Sequence, residues 1–205
     1  MIIDPNPQGS DLWLMARLGC ASASQFDKIM TAGLKASSQA EVYQNKLVGE
    51  WYTQTPENVF VTDAMQRGTD MEPEARAAYT FITGREVTEH GFIYLNDERL
   101  VGASPDGLTD DSGLEIKCCL PSTHVSMLLA NDVPSKYIGQ VQGCMMVTGR
   151  DSWTFCAYCP GFPPLIIDVD RDDKWQAAFK PLLDKFIEGM MKKRERIVEI
   201  CGEIT

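Results

Sequence analysis

Residues 104–117 read SPDGLTDDSGLEIK, a stretch that combines turn residues with closely spaced charged side chains. The residues TDDSG are typical of a turn, and strand-like segments precede and follow them. Glu115 and Lys117 are two positions apart on the second predicted strand, so their side chains lie on one face. Ile116, between them, is expected to point into the core. The stretch therefore predicts a β-hairpin with charged groups on one face.

The hairpin brings a second carboxylate to the same place. It is predicted to join the strand RLVGAS (99–104) to the strand GLEIKC (113–118). Because the end of the first strand lies beside the start of the second in an antiparallel hairpin, Asp106 is expected next to Glu115. Two carboxylates and the Lys117 ammonium would then meet at a strand end.

This group suits hydrolysis of a phosphodiester. Mg²⁺ and Mn²⁺ prefer oxygen ligands, and two carboxylates, a main-chain carbonyl and water suffice. A lysine beside them can orient or deprotonate a water molecule and offset charge on the phosphate. From spacing alone, a solvated hairpin with an ordinary Glu/Lys pair remains the alternative.

Outside the hairpin, the apolar spacing predicts a mixture of helices and strands. Residues 1–10 are expected to form a loop, and Ser22 or Ser24 to cap a short helix. Helices are predicted over 40–52, 62–83 (kinked or restarted at Pro73), 121–131, 134–148 and 171–200. Strands are predicted at 85–95, 99–104, 113–119, 153–159 and 164–170. This order indicates an α/β (α+β) fold with a mixed central β-sheet flanked by helices.

Length and composition restrict the functional class. The 205 residues suit a single domain over 1–205, and no apolar stretch is long enough to cross a membrane. The net charge of −10 disfavours a nonspecific nucleic-acid coat protein, although an acidic exterior can enclose a basic channel. Seven cysteines without an export signal indicate reduced thiols in the cytoplasm. Cys156 and Cys159 form a CxxC pair that is expected to pack in a strand.

The Pro-Asp…Glu-x-Lys pattern resembles the signature of the PD-(D/E)xK nuclease superfamily. Other stretches resemble one branch of it, the phage lambda exonuclease and YqaJ viral-recombinase family of alkaline exonucleases. Those stretches occur in family order and together span about residues 13–190: WLMARLGCASAS (13–24), GTDMEPEAR (68–76), YIGQVQ (137–142), WTFCAY (153–158) and IIDVDRDDKW (166–175). The resemblance implies a restriction-endonuclease-like core.

The resemblance also implies roles for the acidic centre. Asp106 and Glu115 correspond to metal ligands, with the carbonyl of Ile116 as a third. Lys117 corresponds to the catalytic lysine. Glu72 corresponds to a helix-borne acid near a second metal position, although it can also be read as a surface glutamate. The implied cofactor is Mg²⁺, replaceable by Mn²⁺, with two ions per active site.

A second set of residues corresponds to positions that bind the 5′-phosphate of the substrate end. These are Arg17, Ser24 and Ser104; one guanidinium and two hydroxyls make a sensible anion pocket. The alternatives are a surface ion pair, a helix cap and a turn residue, respectively. Gln140 corresponds to the glutamine of the family's QxQ motif, near the metals and the end phosphate. The acids at 168–173 are read as helix caps rather than as metal ligands.

The function implied by the resemblance is a metal-dependent 5′→3′ exonuclease that acts on double-stranded DNA ends. It would release 5′-mononucleotides and leave a 3′ single strand for recombination. The implied assembly is a homotrimeric ring, with a single-strand annealing protein as partner, in the cytoplasm of a bacterial host, encoded by a phage or prophage. The alternatives are a related endonuclease, a catalytically inactive acidic protein that binds a nucleic-acid-binding partner, and a CxxC redox protein.

Overall fold

The computed structural model describes residues 1–57 and 62–204; residues 58–61 and Thr205 of the predicted domain lie outside the described residues. The helices are α1 (Asp11–Ala16), α2 (Ala40–Thr53), α3 (Asp63–Thr83), α4 (Pro121–Ala130), α5 (Ser135–Thr148) and α6 (Asp173–Cys201), with a 3₁₀ helix over Ala23–Lys28. The strands are β1 (Ile2–Ile3), β2 (Ala21–Ser22), β3 (Ile93–Tyr94), β4 (Val101–Ala103), β5 (Gly107–Leu108), β6 (Gly113–Cys118), β7 (Ser152–Tyr158) and β8 (Leu165–Asp170).

The predicted fold class is confirmed, with the strands divided between two mixed sheets rather than joined in one. The first sheet has the order β1-β3-β4-β2 and the second the order β5-β6-β7-β8. In the second sheet β6 and β7 are parallel, while β5 and β8 are antiparallel to their neighbours. The helix pair α4 and α5 makes the crossover that a parallel β6–β7 pair requires.

The hairpin prediction was right about β6 and wrong about its partner. The strand beside β6 is the short β5, with Gly107 opposite Leu114, whereas β4 belongs to the first sheet. Pro105 lies between β4 and β5, and its ring nitrogen cannot donate to a strand ladder. The chain therefore leaves one sheet and enters the other at the Pro-Asp step.

Helices cover both faces of the second sheet. On one face Ile116 packs in a cluster with Tyr79 of α3. On the other face Phe155 of β7 stacks on Tyr137 of α5, with ring centroids 5.4 Å apart. Because Glu115 is paired with Phe155 in the ladder, Glu115 and Lys117 face α5 while Ile116 faces α3.

The long C-terminal helix is core, as its apolar spacing predicts. In α6 the rings of Trp175 and Phe179 stack with centroids 4.6 Å apart, and Phe179 also contacts Phe26 of the 3₁₀ helix. The carboxylate of Asp172 caps this helix by accepting from the N–H groups of Lys174 and Trp175. The capping interpretation of these acids thus holds at Asp172.

Other differences from the predicted elements are local. Residues 1–10 are not all loop, because Ile2 and Ile3 pair with β3, and a two-residue strand shows no alternation that a sequence could reveal. Helix α3 runs through Pro73 as one helix and ends at Thr83, just before Gly84, whose φ is +70°. Among the described helices, none is both long and apolar enough to cross a membrane.

Candidate active site

The structure brings Asp106, Glu115 and Lys117 together at the β5–β6 hairpin. Asp106 precedes β5, and its Oδ2 accepts a hydrogen bond from the N–H of Ile116 at 2.5 Å. Its own N–H donates to the carbonyl of Leu114 at 3.1 Å. Main-chain hydrogen bonds from β6 therefore hold the aspartate beside Glu115, as the sequence predicted. With Glu72, these residues are called the acidic centre below.

Glu115 is a buried carboxylate in this centre. The residue is 0% exposed, and its only polar partner among the described residues is the ammonium of Lys117, with which it forms an ion pair. Burial, together with the neighbouring Asp106 carboxylate, raises the pKa of Glu115 to about 7. A buried carboxylate with so few partners is costly to a protein and is a common feature of metal and catalytic sites.

Helix α3 adds a third carboxylate and an arginine that the sequence analysis did not single out. The guanidinium of Arg76 donates to Glu72 Oε1 at 2.7 Å and to the carbonyl of Asp106 at 3.0 Å, and it pairs with Glu89 at 2.8 Å. Burial and the Asp106 charge raise the pKa of Glu72 to about 7. The i, i+4 spacing of Glu72 and Arg76 was the available sequence signal.

Lys117 is positioned from two sides. Burial alone would lower its pKa, but the carboxylates of Glu115 and Asp106 raise the pKa above its usual value. Its Nζ lies 5.3 Å from the ring centroid of Tyr137, which itself stacks on Phe155. The lysine is therefore a protonated donor, held between carboxylates and an aromatic ring.

The acidic centre fits a magnesium ion by its chemistry. Within residues 1–57 and 62–204, no three His, Cys, Asp or Glu side chains are grouped so as to hold a metal by themselves. A cation at Asp106 and Glu115 would therefore take its remaining ligands from main-chain carbonyls and water, which is a coordination that Mg²⁺ accepts. The two Oε atoms of Glu115, buried and without a hydrogen-bond donor apart from Lys117, are available to it.

The predicted phosphate-binding residues converge on a small cavity, called the end pocket below. Its volume is about 170 Å³. It is lined by Gln8, Trp13, Arg17, Ser24, Ser104 and Gln140, among others. These residues come from four separate parts of the chain, and the three predicted from the family resemblance are all present. Its donors are a guanidinium, hydroxyls, amides and an indole N–H, which together suit an anion.

Arg17 does not form the surface ion pair that was its alternative. It makes no salt bridge with a carboxylate in the described part of the chain, and its guanidinium stacks 4.5 Å above the ring of Trp13. Burial lowers the pKa of Arg17, since the charge has lost water without gaining a partner. An unpaired, desolvated guanidinium beside a cavity has the chemistry to bind an anion.

The two serines also have unused hydrogen-bonding capacity. The Oγ of Ser104 is buried and has no partner in the described residues. Neither Ser22 nor Ser24 is required as a helix cap; their hydroxyls lie 3.2 Å from each other, and Ser22 makes no side-chain cap bond. Ser22 therefore occupies the N-cap position of this short helix, as predicted, but it contributes no side-chain cap hydrogen bond.

The end pocket adjoins the acidic centre. Ser104 lines the pocket and Asp106 belongs to the centre, with only Pro105 between them. The amide of Gln8 lines the pocket and donates to the carbonyl of Pro105 at 2.7 Å. On α5, Gln140 and Cys144 line the same pocket, and the pKa of the buried Cys144 is raised by burial and by the charges of the centre.

The second glutamine of YIGQVQ has a different task. Gln142 is buried; its amide donates to the carbonyl of Asp170, and its Oε1 accepts from the N–H of Asp172. It therefore anchors the junction between β8 and α6, while Gln140 reaches the pocket. Within this one motif, Gln142 therefore has a structural role, whereas Gln140 lines the cavity.

The CxxC pair has the structural character that its position in a strand suggests. Cys156 and Cys159 are 0% and 2% exposed. Burial raises the pKa of Cys156 to about 12, which disfavours the thiolate that redox chemistry needs.

His124 of α4 is also buried, and its Nε2 lies 3.0 Å from the carbonyl of Pro163.

Comparisons with known proteins agree in pointing to one family. The sequence model of the YqaJ-like viral recombinase domain matches residues 12–151. The crystal structure of an alkaline exonuclease, LHK-Exo of Laribacter hongkongensis, superimposes with a TM-score of 0.84 at 34% identity, covering 93% of this chain and 97% of that one. The same enzyme has been crystallised in complex with dAMP, with a TM-score of 0.83.

More distant relatives are consistent with this picture. A phage-related exonuclease of Haemophilus somnus 129PT shares the fold, with a TM-score of 0.67 at 12% identity over 85% of this chain and 96% of that one. The protein ExoD of Escherichia coli (strain K12), itself uncharacterized, is 34% identical over 74 residues, which are 35% of this chain and 85% of ExoD.

Proposed function

The chain belongs to the family of YqaJ-like viral recombinase domains, and its fold is that of the alkaline exonucleases. From this premise we propose that it is a metal-dependent 5′→3′ exonuclease that degrades one strand of double-stranded DNA from its ends. The products are 5′-mononucleotides and a 3′ single-stranded overhang. The overhang is the substrate for an annealing protein during recombination in the cytoplasm of a phage-carrying bacterium.

The observation that carries the proposal is the adjacency of the end pocket and the acidic centre. A cavity of about 170 Å³ lined by Arg17, Ser24 and Ser104 accommodates one phosphate group. The next carboxylate along the chain, Asp106, belongs to the acidic centre. An enzyme that anchors a terminal phosphate this close to its hydrolytic groups removes the terminal nucleotide.

The residues of the acidic centre divide the hydrolytic work. Asp106 and Glu115, with the carbonyl of Ile116, are the groups that would hold the first Mg²⁺ or Mn²⁺, and Glu72 would serve a second. When bound, these ions supply Lewis-acid polarisation of the phosphate and a more acidic water. Lys117 donates to the scissile phosphate and offsets its developing negative charge.

The protonation state of Lys117 favours donation over proton abstraction. Its pKa is raised by the two carboxylates it faces, so the ammonium form dominates at neutral pH. Tyr137 and Glu115 restrict where the ammonium points. Gln140 lines the end pocket from α5, and in this proposal it orients the terminal nucleotide between the two sites.

The test is digestion of a linear duplex labelled at one 5′ end, with Mg²⁺ and with excess EDTA, beside a covalently closed circle. We expect release of labelled mononucleotide from the linear duplex, only with Mg²⁺, and an intact circle. Loss of the circle would indicate an endonuclease of the same superfamily instead. No cleavage of either substrate with Mg²⁺ or Mn²⁺ would indicate the inactive binding protein.

A further inference from the structure

Two cations beside the acidic centre have no role in the account above. The guanidinium of Arg67, on α3, donates to the carbonyl of Cys119 at 3.0 Å. The Nζ of Lys136, on α5, lies 4.7 Å from the ring centroid of Tyr137. Neither cation forms an ion pair with a carboxylate in the described part of the chain. Their charges are therefore open to an anion from outside the protein. The two residues are called the basic rim below.

The basic rim lies at the end of β6. Cys119 directly follows this strand, two positions after Lys117. Arg67 approaches Cys119 from the helix on one face of the sheet, and Lys136 from the helix on the other face. Burial raises the pKa of the Cys119 thiol, and the charges of Lys136 and, more weakly, Arg67 oppose that rise. Both cations are therefore neighbours of one residue at this strand end.

The basic rim adjoins the acidic centre on the side of Lys117. The ammonium groups of Lys117 and Lys136 lie 5.3 Å and 4.7 Å from the same Tyr137 ring centroid. Two like charges this close repel each other, and only Lys117 has a carboxylate partner, Glu115. An anion bound beside Lys136 would offset this repulsion.

The groups follow a fixed order along α5. Gln140 and Cys144 line the end pocket, whereas Lys136 lies in the first turn of the helix. Lys136 and Cys144 are separated by roughly two turns, about 12 Å. In the acidic centre, Lys117 lies nearer to Lys136. Glu115 lies near Cys144, since its charge adds to the rise that burial causes in the pKa of that thiol. The end pocket, the acidic centre and the basic rim therefore succeed one another.

A DNA strand presents phosphates in the same succession. If the terminal phosphate occupies the end pocket and the scissile phosphate the acidic centre, the next phosphate on the 3′ side lies toward Lys136. An internucleotide phosphate has one negative charge and two non-bridging oxygens, which a guanidinium and an ammonium can bind together. Such contacts hold a strand in position without reading its sequence.

We propose that Arg67 and Lys136 bind the second internucleotide phosphate from the 5′ end, on the 3′ side of the scissile phosphate. This inference rests on the proposed function for the direction of the strand. The basic rim is a separate site, because neither residue lines the end pocket. With a phosphate held on each side, the scissile phosphate is kept at the acidic centre.

The first test neutralises one phosphate at a time. A 5′-phosphorylated duplex, closed by a hairpin at its far end, carries a neutral methylphosphonate at the second internucleotide linkage or at the linkage beside the hairpin. Dissociation constants are measured in EDTA. We expect the change at the second linkage to weaken binding about 10-fold, the lower end for a hydrogen bond to a charged group, because Lys136 is exposed. The change beside the hairpin should have no effect.

The second test asks whether the basic rim senses that charge. Arg67→Gln is compared with Arg150→Gln, since the Arg150 guanidinium also donates to a main-chain carbonyl, that of Ser112, at 2.8 Å. Lys136→Ala is compared with Lys174→Ala, because both lysines are exposed in the first turn of a helix. Each rim variant should reduce the difference between the phosphate and methylphosphonate duplexes, and the double variant should abolish it. Both controls should keep the full difference.

Salt dependence gives a further measurement of the same contact. For duplex DNA, each neutralised phosphate contributes about 0.9 to the slope of log affinity against log salt concentration. Lys136→Ala should therefore make this slope shallower by about 1, whereas Lys174→Ala should leave it unchanged. An unchanged slope in Lys136→Ala would contradict a phosphate contact at this lysine.

The outcomes separate this inference from the proposed function. If the unmodified protein releases no mononucleotide from the all-phosphate duplex when Mg²⁺ replaces EDTA, the proposed function is wrong. If it releases mononucleotide but binds the second-linkage methylphosphonate duplex as tightly as the all-phosphate duplex, only the basic rim is wrong. Equal weakening by the linkage beside the hairpin, or a double variant that keeps the full difference, would also overturn the basic rim.

Discussion

Burial changes the ionisation of the side chains in the acidic centre, as Lys117, Glu115 and Asp106 illustrate. Glu115 is fully buried, and it faces one ammonium in the company of other carboxylates. An isolated carboxylate in that position would be neutralised. When Lys117 and a bound cation share the Glu115 charge, the carboxylate can stay ionised and act as a metal ligand. This is the physical basis of the hydrolysis proposed for the acidic centre.

We expect Asp106→Asn, Glu115→Gln and Lys117→Ala each to lower the cleavage rate by about 10² to 10³ or more while the fold is retained. Each change removes a ligand or a charge from the acidic centre. The rates are measured by release of labelled nucleotide, with circular dichroism as the folding check. Asp110→Asn, in the exposed turn of the same hairpin, is the control and should cleave normally. Near-normal turnover in any of the three would contradict the assignment.

Arg17 supplies the charge of the end pocket, and its loss should affect which ends are used. Arg17→Ala removes a charge-assisted contact, so the preference for 5′-phosphorylated over 5′-hydroxyl ends should fall roughly 10- to 100-fold. Initial cleavage rates on the two duplexes give this ratio. Equal rates on both ends in the unmodified enzyme would refute the pocket, irrespective of the variant.

The raised carboxylate pKa values predict a dependence of stability on pH in the metal-free protein. Glu115 and Glu72 have a pKa of about 7 in the folded chain, against roughly 4.3 for an unfolded glutamate. Between these values the folded state binds more protons than the unfolded state, so its free energy of unfolding falls as pH rises. The contribution of these two glutamates should therefore make the melting temperature in EDTA lower near pH 8 than near pH 5.

Glu115→Gln isolates the contribution of this carboxylate, because it retains the shape and removes the titration. The difference in melting temperature between the variant and the unmodified protein should grow, in favour of the variant, as pH rises through that window. Mg²⁺ should stabilise the unmodified protein more at pH 8 than at pH 5. If the melting temperatures of both proteins follow the same pH curve, the pKa of Glu115 is not raised in the folded state.

At the scale of elements, close packing of α5 on the 3₁₀ helix forms the walls of the end pocket. Gly143 makes this approach feasible: a Cβ at this position would lie 2.4 Å from a ring carbon of Phe26. Gln140 on α5 and Ser24 on the 3₁₀ helix are thereby brought to the same cavity. The pocket depends on how two helices meet as well as on its polar side chains.

Gly143→Ala should lower the free energy of unfolding by about 1 to 3 kcal/mol, because Phe26 has to move within a packed core. It should also weaken the preference for phosphorylated ends. Gly139→Ala, one turn earlier on α5, is the control, since nothing lies within 4 Å of its added carbon. That control should be neutral or more stable by about 0.5 to 1 kcal/mol. Equal denaturation midpoints for the two variants would argue against the tight contact.

On the scale of the whole molecule, net charge and proposed activity oppose each other. A subunit of charge −10 is repelled by duplex DNA, yet an exonuclease has to stay on its substrate. A closed ring of three subunits resolves the conflict if basic side chains line its hole and acidic ones face outward. The apolar stripe of α6 is buried in the core, so subunit contacts need other surfaces, and Phe81 and Leu129 are 90% and 84% exposed.

We therefore predict a trimer in solution and long tracts of degradation for each binding event. Raised salt should slow initial loading more than ongoing digestion, because loading depends on phosphate contacts whereas retention depends on enclosure. Light scattering gives the assembly state, and a chase with unlabelled competitor DNA gives the tract length. A monomer that still degrades long tracts would contradict the ring.

Local sequence determined the long helices, the strand β6 and the alternation that sets Glu115 and Lys117 on one face, because helical and strand periodicities depend on near neighbours. The chain order of the motifs also determined the family. Tertiary structure alone decided that β4 and β5 lie in different sheets, that Arg76 donates to the Asp106 carbonyl, and that Gln8 donates to the Pro105 carbonyl. It likewise decided that Trp13 shares a cavity with Ser104. Such contacts join residues far apart in the chain, and no local periodicity encodes which distant groups a folded chain brings within hydrogen-bonding distance.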